Sequence, residues 1–139
     1  VDRREAFRRL ADSRVARLAT ADAGGIPHVV PCVMAVEGDT VYSAVDAKPK
    51  RSRRLKRLAN IRANPNAEMV ADHYSEDWRE LWWVRVGGPA RILEGGSEFD
   101  RALSLLAAKY AKYSEDPPAG PVIALDVVRW SAWEASPSA

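Results

Sequence analysis

One cysteine, Cys32, and two histidines, His28 and His73, are all the thiol and imidazole side chains that 139 residues provide. A single thiol excludes an intrachain disulfide and any cysteine-rich zinc site, and the two histidines are not at metal-ligand spacing. The familiar catalytic signatures are missing too: there is no Walker loop, no G-x-G-x-x-G, no H-E-x-x-H and no G-x-S-x-G. Long apolar runs are absent. The stretch Ile26 to Val36 is strand-sized, far below the roughly 20 apolar residues that span a bilayer. The opening VDRREAFRRL is charged and amphipathic where a secretory leader carries an apolar core, so a cytoplasmic protein without membrane attachment is expected. What remains is 47% hydrophobic and 29% charged, the balance of a folded globular chain, and 15.3 kDa suits one domain over 1–139.

Periodicity then sketches the elements. RREAFRRLAD (3–12) spaces Phe7, Leu10 and Ala11 as a helix does. VARLATA (15–21) alternates as a strand, Gly24-Gly25 turns, and IPHVVPCVMAV (26–36) forms the next strand. Pro27 and Pro31 cannot donate ladder hydrogen bonds, so that strand belongs at an edge or a bulge. TVYSAV (40–45) follows, then a basic loop and a helix that stops at Asn64-Pro65. Strands resume at 67–73 and 81–93, EFDRALSLLAAKYAKY (98–113) is a long helix, and 122–135 is a final strand. About six mostly antiparallel strands, with a helix between the third and fourth, predict a mainly β fold with helices built as a small barrel.

Cys32 has no base beside it in sequence and reads as a small buried residue. Neighbours in a strand point to opposite faces, so Trp82 and Trp83 cannot both enter one core. Either one of them meets a ligand or partner subunit, or the pair packs on the two sides of the barrel wall.

Charge is the most uneven feature. Residues 46–65, DAKPKRSRRLKRLANIRANP, hold eight of 21 cationic side chains and one acid, a net charge of +7 in a chain of net charge +2. Nucleic acid, a membrane surface or a phosphorylated small molecule could match it. From Asn66 onward there are twelve acids against seven cations, and no aromatic residue interleaves with the arginines to stack bases, which argues against nucleic acid. As a membrane anchor the segment lacks large apolar residues at its tip. A small anion fits: Lys48, Lys50 and Arg51 precede a helix whose free N–H groups and positive dipole end favour phosphate, and Arg54 and Arg57 follow at helical spacing.

With those parts assembled, the chain resembles the flavin and deazaflavin oxidoreductases of the pyridoxamine 5'-phosphate oxidase-like split-barrel superfamily, and is most similar to the branch that uses coenzyme F420. The resemblance rests on PHVVPCVMAVEGDTVYSAVDAKPKR (27–51), LKRLANIRANP (55–65) and VADHYSEDWRELWWVRVGGPARI (70–92). It implies a six-stranded Greek-key split barrel and a homodimer with a cofactor in each of two clefts between subunits. It further implies that Lys56 and Arg57 hold the cofactor phosphate, and that Lys48, Lys50 and Arg51 form the basic loop of the F420 branch. Val30, Pro31 and Cys32 would run beside the cofactor ring, with Ser43 and Ala44 on the facing strand. Met34 departs from the pattern, since relatives often carry an aromatic residue there.

A phosphodiester with an oligoglutamate tail presents several negative charges, whereas FMN presents one phosphate. Eight cations, Arg53 and Arg54 among them, suit the longer anion. The expected activity is hydride transfer from reduced F420 to a small organic acceptor. An FMN-dependent oxidase or reductase of the same fold, and a cofactor or tetrapyrrole carrier without turnover, are the alternatives. Trp78 and Arg129 are added as pocket residues, reaching across the dimer.

Overall fold

In the computed structural model, residues 1–45 and 52–136 are described, with the side chains of the second span described from Lys56 on. Lys48, Lys50 and Arg51 therefore lie outside the described residues. Arg54 is seen only through the backbone of its helix.

The first helix, α1 (Arg3–Asp12), begins where the Asp2 side chain accepts from the Glu5 N–H at 2.9 Å and turns Ala6, Phe7 and Leu10 inward. Four strands follow: β1 (Ala16–Ala21), β2 (Pro27–Cys32), β3 (Ala35–Glu37) and β4 (Thr40–Ala44). Next come α2 (Ser52–Ala63), β5 (Asn66–His73), a single 3-10 turn (Trp78–Glu80) and the long β6 (Trp82–Leu93). The chain continues through α3 (Ser97–Lys109), α4 (Ala111–Glu115), β7 (Val122–Asp126) and β8 (Arg129–Glu134). All pairings are antiparallel, in the order β2-β1-β5-β6-β7-β4-β3, with β8 also on β6.

Six expected strands become eight because two of them break. The 122–135 strand is interrupted at Val127-Val128, whose N–H groups leave the ladder for Asp39 O (2.8 Å) and Gly87 O (2.9 Å). Opposite that bulge, β6 changes partners: Trp82 to Gly87 pair with β8, and Ala90 to Leu93 pair with β7. Gly88 permits the crossing, since a Cβ there would lie 2.0 Å from the Asp126 carbonyl oxygen. The 26–36 strand breaks at Val33-Met34. Side chains hold that break: the Ser43 hydroxyl donates to Val33 O (2.8 Å), and the Met34 N–H donates to the Tyr110 hydroxyl (3.1 Å). The same tyrosine interrupts the expected 98–113 helix. Tyr110 takes an extended conformation between α3 and α4, where its buried hydroxyl also lies 3.0 Å from the Arg14 and Met34 carbonyls.

Consequently β2 and β3, consecutive in the chain, are the two ends of the sheet order and do not pair. β2 is an edge strand, as its prolines require. The larger core, built on Leu10, Leu18, Met69, Val84, Val86 and Leu125, includes Leu58 and Ile61 of α2. A second core beneath α3 joins Leu106 and Tyr110 to Tyr42, Val122 and Ala124. Among the described residues no helix is long and apolar enough to cross a membrane.

Candidate functional site

A cavity of about 320 Å³ sits where the sheet is open. The end of β2 contributes Pro31 and Cys32, the break contributes Val33, and the end of β4 contributes Ala44. Val15, Arg57 of α2 and Tyr113 of α4 complete the wall. Arg57 is carried there because α2 docks by its Leu58 and Ile61 face, and because buried Asn60 donates to the Thr20 hydroxyl at 3.1 Å. That bond fixes the rotation of the helix about its axis. Lys56, one residue earlier, is turned to solvent on the side of the β1–β2 hairpin, where its charge helps hold Asp22 below the usual carboxylate range. The main cause of that depression is the Ile26 N–H, which donates to Asp22 at 2.9 Å.

The cavity is apolar on its strand side and cationic at its helix side. Burial pushes the Cys32 thiol up, while Ser43 and Arg57 pull the other way. Behind the wall, Lys109 Nζ donates to Ser13 O (2.8 Å) and Met34 O (2.7 Å), tying the end of α1 to the strand break. Burial, reinforced by the like charge of Arg14, pulls Lys109 down to about 8.

Of the residues read from sequence, Pro31, Cys32, Ala44 and Arg57 therefore meet in one cavity. Ser43 stands behind it, buried and bonded to Val33 O. Val30 is half-buried and pairs with Leu18 without lining it. Trp78 lies on the 3-10 turn, 68% exposed, and is not part of this wall. Arg129 lies on the outer sheet face, donating to Glu68 at 3.0 Å across the position where Gly87 has no side chain. Tyr113, Val15 and Val33 were not read from sequence. Tyr113 sits in what reads as a continuing helix, and only the interruption at Tyr110 swings it toward β2.

An open antiparallel barrel whose end strands β2 and β3 do not pair, with a part-cationic cleft between the ends of β2 and β4, is the architecture of a split barrel. Residues 3–134 match the pyridoxamine 5'-phosphate oxidase family, and the chain belongs to it. Among curated proteins no sequence matches the chain. Solved structures agree on the fold. A FAD-binding protein from Mesorhizobium loti is 24% identical, with a TM-score of 0.76, over 98% of this chain and 96% of its own. A conserved hypothetical protein from Mycobacterium tuberculosis is 18% identical, with a TM-score of 0.77, over 96% and 85%. The heme storage protein HutZ from Vibrio cholerae is 13% identical, with a TM-score of 0.71, over 95% and 93%. At these identities the likeness is one of fold alone.

Proposed function

We propose that the chain is an oxidoreductase that binds coenzyme F420 in the cleft between β2 and β4 and passes a hydride to a small organic acceptor. The observation that carries this reading is the convergence of Pro31, Cys32, Ala44 and Arg57, from three separate stretches, on one cavity. The fit is chemical. A flat apolar strand wall suits a planar ring, and a guanidinium suits phosphate. At about 320 Å³ the cavity is at the small end for ligand sites, so one protomer houses the ring and the remainder needs a second wall. A homodimer would supply it, with Trp78 and Arg129 arriving from the other copy.

When bound, such a cofactor supplies the hydride chemistry itself; the protein contributes orientation, charge and exclusion of water. Here the end of β2 would set the ring plane, Ser43 would hold the Val33 turn beneath it, and Arg57 would anchor phosphate. The eight cations of residues 46–65, with Lys48, Lys50, Arg51 and Arg54 immediately before Lys56 and Arg57 in sequence, exceed what one phosphate uses and favour a longer polyanion. A cytoplasmic setting is part of this reading.

FMN as the cofactor, or carriage of a cofactor without turnover, is the second reading. It is favoured by the fold shared with a FAD-binding protein and a heme storage protein. Calorimetric titration with F420 and with FMN decides between them. We expect F420 to bind the tighter of the two, and Lys50→Glu with Arg57→Glu to weaken it at least about tenfold. Unchanged affinity in that variant removes the anion seat. Tight binding without oxidation of the reduced form by quinone, enone or bilin acceptors supports carriage.

A further inference from the structure

A second groove, about 650 Å³ and so larger than the cleft, runs between the end of α1 and the adjoining edges of β1, β5 and β6. It shares Val15 with the cleft and no other lining residue. Its floor is aromatic. The rings of His73 and Trp82 lie 6.2 Å apart between centroids and within 20° of parallel, and the Arg9 guanidinium sits 5.4 Å from the Trp82 ring centre. Its rim is cationic, formed by Arg8, Arg9, Arg14 and Arg17, with Asp12 and Asp72 as the lining acids.

Those four arginines are not equivalent. Arg8 is taken up by Glu5 (2.6 Å) and Asp12 (2.8 Å), and Arg9 by Glu5 and Glu134 (2.9 Å each). Their role is to hold α1 and steady the tryptophan. Arg17 makes a single 3.2 Å contact with Asp72, and both side chains are half exposed, a pair that water screens heavily. Arg14 lies over the Tyr110 ring and donates one hydrogen bond, to the Lys109 carbonyl (3.0 Å). No carboxylate pairs with it among the described residues. Two guanidiniums with donors to spare thus stand beside a flat aromatic floor, in a groove of ligand size.

We propose that this groove is a binding site for a planar aromatic molecule carrying one or two carboxylates. The ring lies against Trp82 and His73, and the carboxylates are met by Arg14 and Arg17. The part of the stacked pair that lines the groove gives a planar ligand apolar contact, and the charge-assisted hydrogen bonds set its orientation. The inference stands apart from the identity of the cofactor, since none of the aromatic or cationic residues it uses lines the cleft.

The test uses naphthalene-2,6-dicarboxylate and its neutral counterpart naphthalene-2,6-dimethanol, titrated by calorimetry with the Trp82 indole N–H followed by NMR. The diacid is expected to bind and to move the Trp82 resonance, with the diol at least about tenfold weaker. An Arg14→Gln, Arg17→Gln variant should lose at least about tenfold in diacid affinity and keep its fold, since both side chains are exposed. Trp82→Leu, checked for folding, should lose binding of both probes. Equal affinity for diacid and diol overturns the proposal, as does an arginine variant that binds normally. Loss in Arg57→Glu with no loss in the arginine pair also overturns it, by placing the probe in the cleft.

Discussion

The sheet has two halves, and β6 belongs to both. Where it pairs with β7, the wall is apolar on each side: β7 buries Val122 to Leu125 consecutively, and β4 buries Val41 to Ala44, because the larger core lies on one face and α3 on the other. Where it pairs with β5 and β8, burial alternates along β1, β2 and β5. One face there is core. The other carries Val29, Trp83, Trp133, Arg85 and Arg129. Trp83 shows the contrast within one dipeptide, since Trp82 leans on the core and the groove while Trp83 faces outward opposite Trp133. The covered half is finished by this chain alone, whereas the open half holds a face that a second copy could complete.

The junction between the halves is where the comparison is easiest to break. Gly88→Val sets a side chain against a backbone oxygen that cannot step aside. We expect it to cost more than about 4 kcal/mol, outside the ordinary range of point substitutions, and to show as a largely unfolded protein by circular dichroism. Gly87→Ala is the control. Its Cβ would meet first the guanidinium of Arg129 at 2.9 Å, a flexible group that can swing away, so the loss should stay below about 1 kcal/mol in urea titration. Equal losses would mean that the crossing is not what constrains β6.

A second pair of substitutions sharpens the difference between the faces. Leu106→Ala empties a fully buried site beneath the covered half and should cost about 3 kcal/mol of unfolding free energy. Trp133→Glu on the open face, where the ring is 46% exposed, should leave the protomer's unfolding within about 1 kcal/mol while shifting sedimentation from the proposed dimer to monomer. A Trp133→Glu protein that sediments as the parent does would leave the open face without its partner.

These halves were unequally legible. The alternation Val15, Arg17, Ala19 against Ala16, Leu18, Thr20 is a local property, and it placed β1 directly; that Ala16, Leu18 and Thr20 take the buried face is set by packing. Asn64-Pro65 marked the end of α2, and the prolines of β2 marked an edge. By contrast, nothing local marks Val33-Met34 or Val127-Val128. Those breaks are held by Ser43 on the next hairpin strand and by Tyr110, Asp39 and Gly87, which are distant in sequence. The cleft inherits this division. Pro31, Cys32 and Ala44 were reached through family resemblance and Arg57 through the charge of its segment as well, while Tyr113 depends on an interrupted helix whose cause is a hydroxyl contact some 76 residues away in sequence. The α1 groove gave no motif at all, because Arg8 and Arg9 of α1, Arg14 of the following turn and Arg17 of β1 read as ordinary solvated charges until the fold sets them around Trp82.

The smallest expected effect concerns charge on the covered half. Arg91 makes paired hydrogen bonds to Glu98 (2.8 and 2.9 Å) and to Asp126 (2.6 and 3.0 Å), and Tyr42 donates to Glu98 at 2.8 Å. The Arg91 bonds, then that of Tyr42, hold Glu98 down at about 2; Arg91 likewise holds Asp126 below its ordinary value. Carboxyls depressed in the folded state add stability above their unfolded values near 4 and lose it as pH falls toward the folded ones. Tyr42 has the opposite sense. Burial and then Glu98 raise it to about 12, so its share is intact below about 10 and is lost as pH climbs through 12. In Arg91→Met both carboxyls return toward their ordinary range. Urea midpoints measured from pH 7 to 2.5 should therefore show a gap between parent and variant that is widest near neutrality and closes on acidification. A gap that stays constant with pH would mean that Arg91 acts by packing its chain and not by its charge, and that the covered half owes its extra stability to apolar contacts alone.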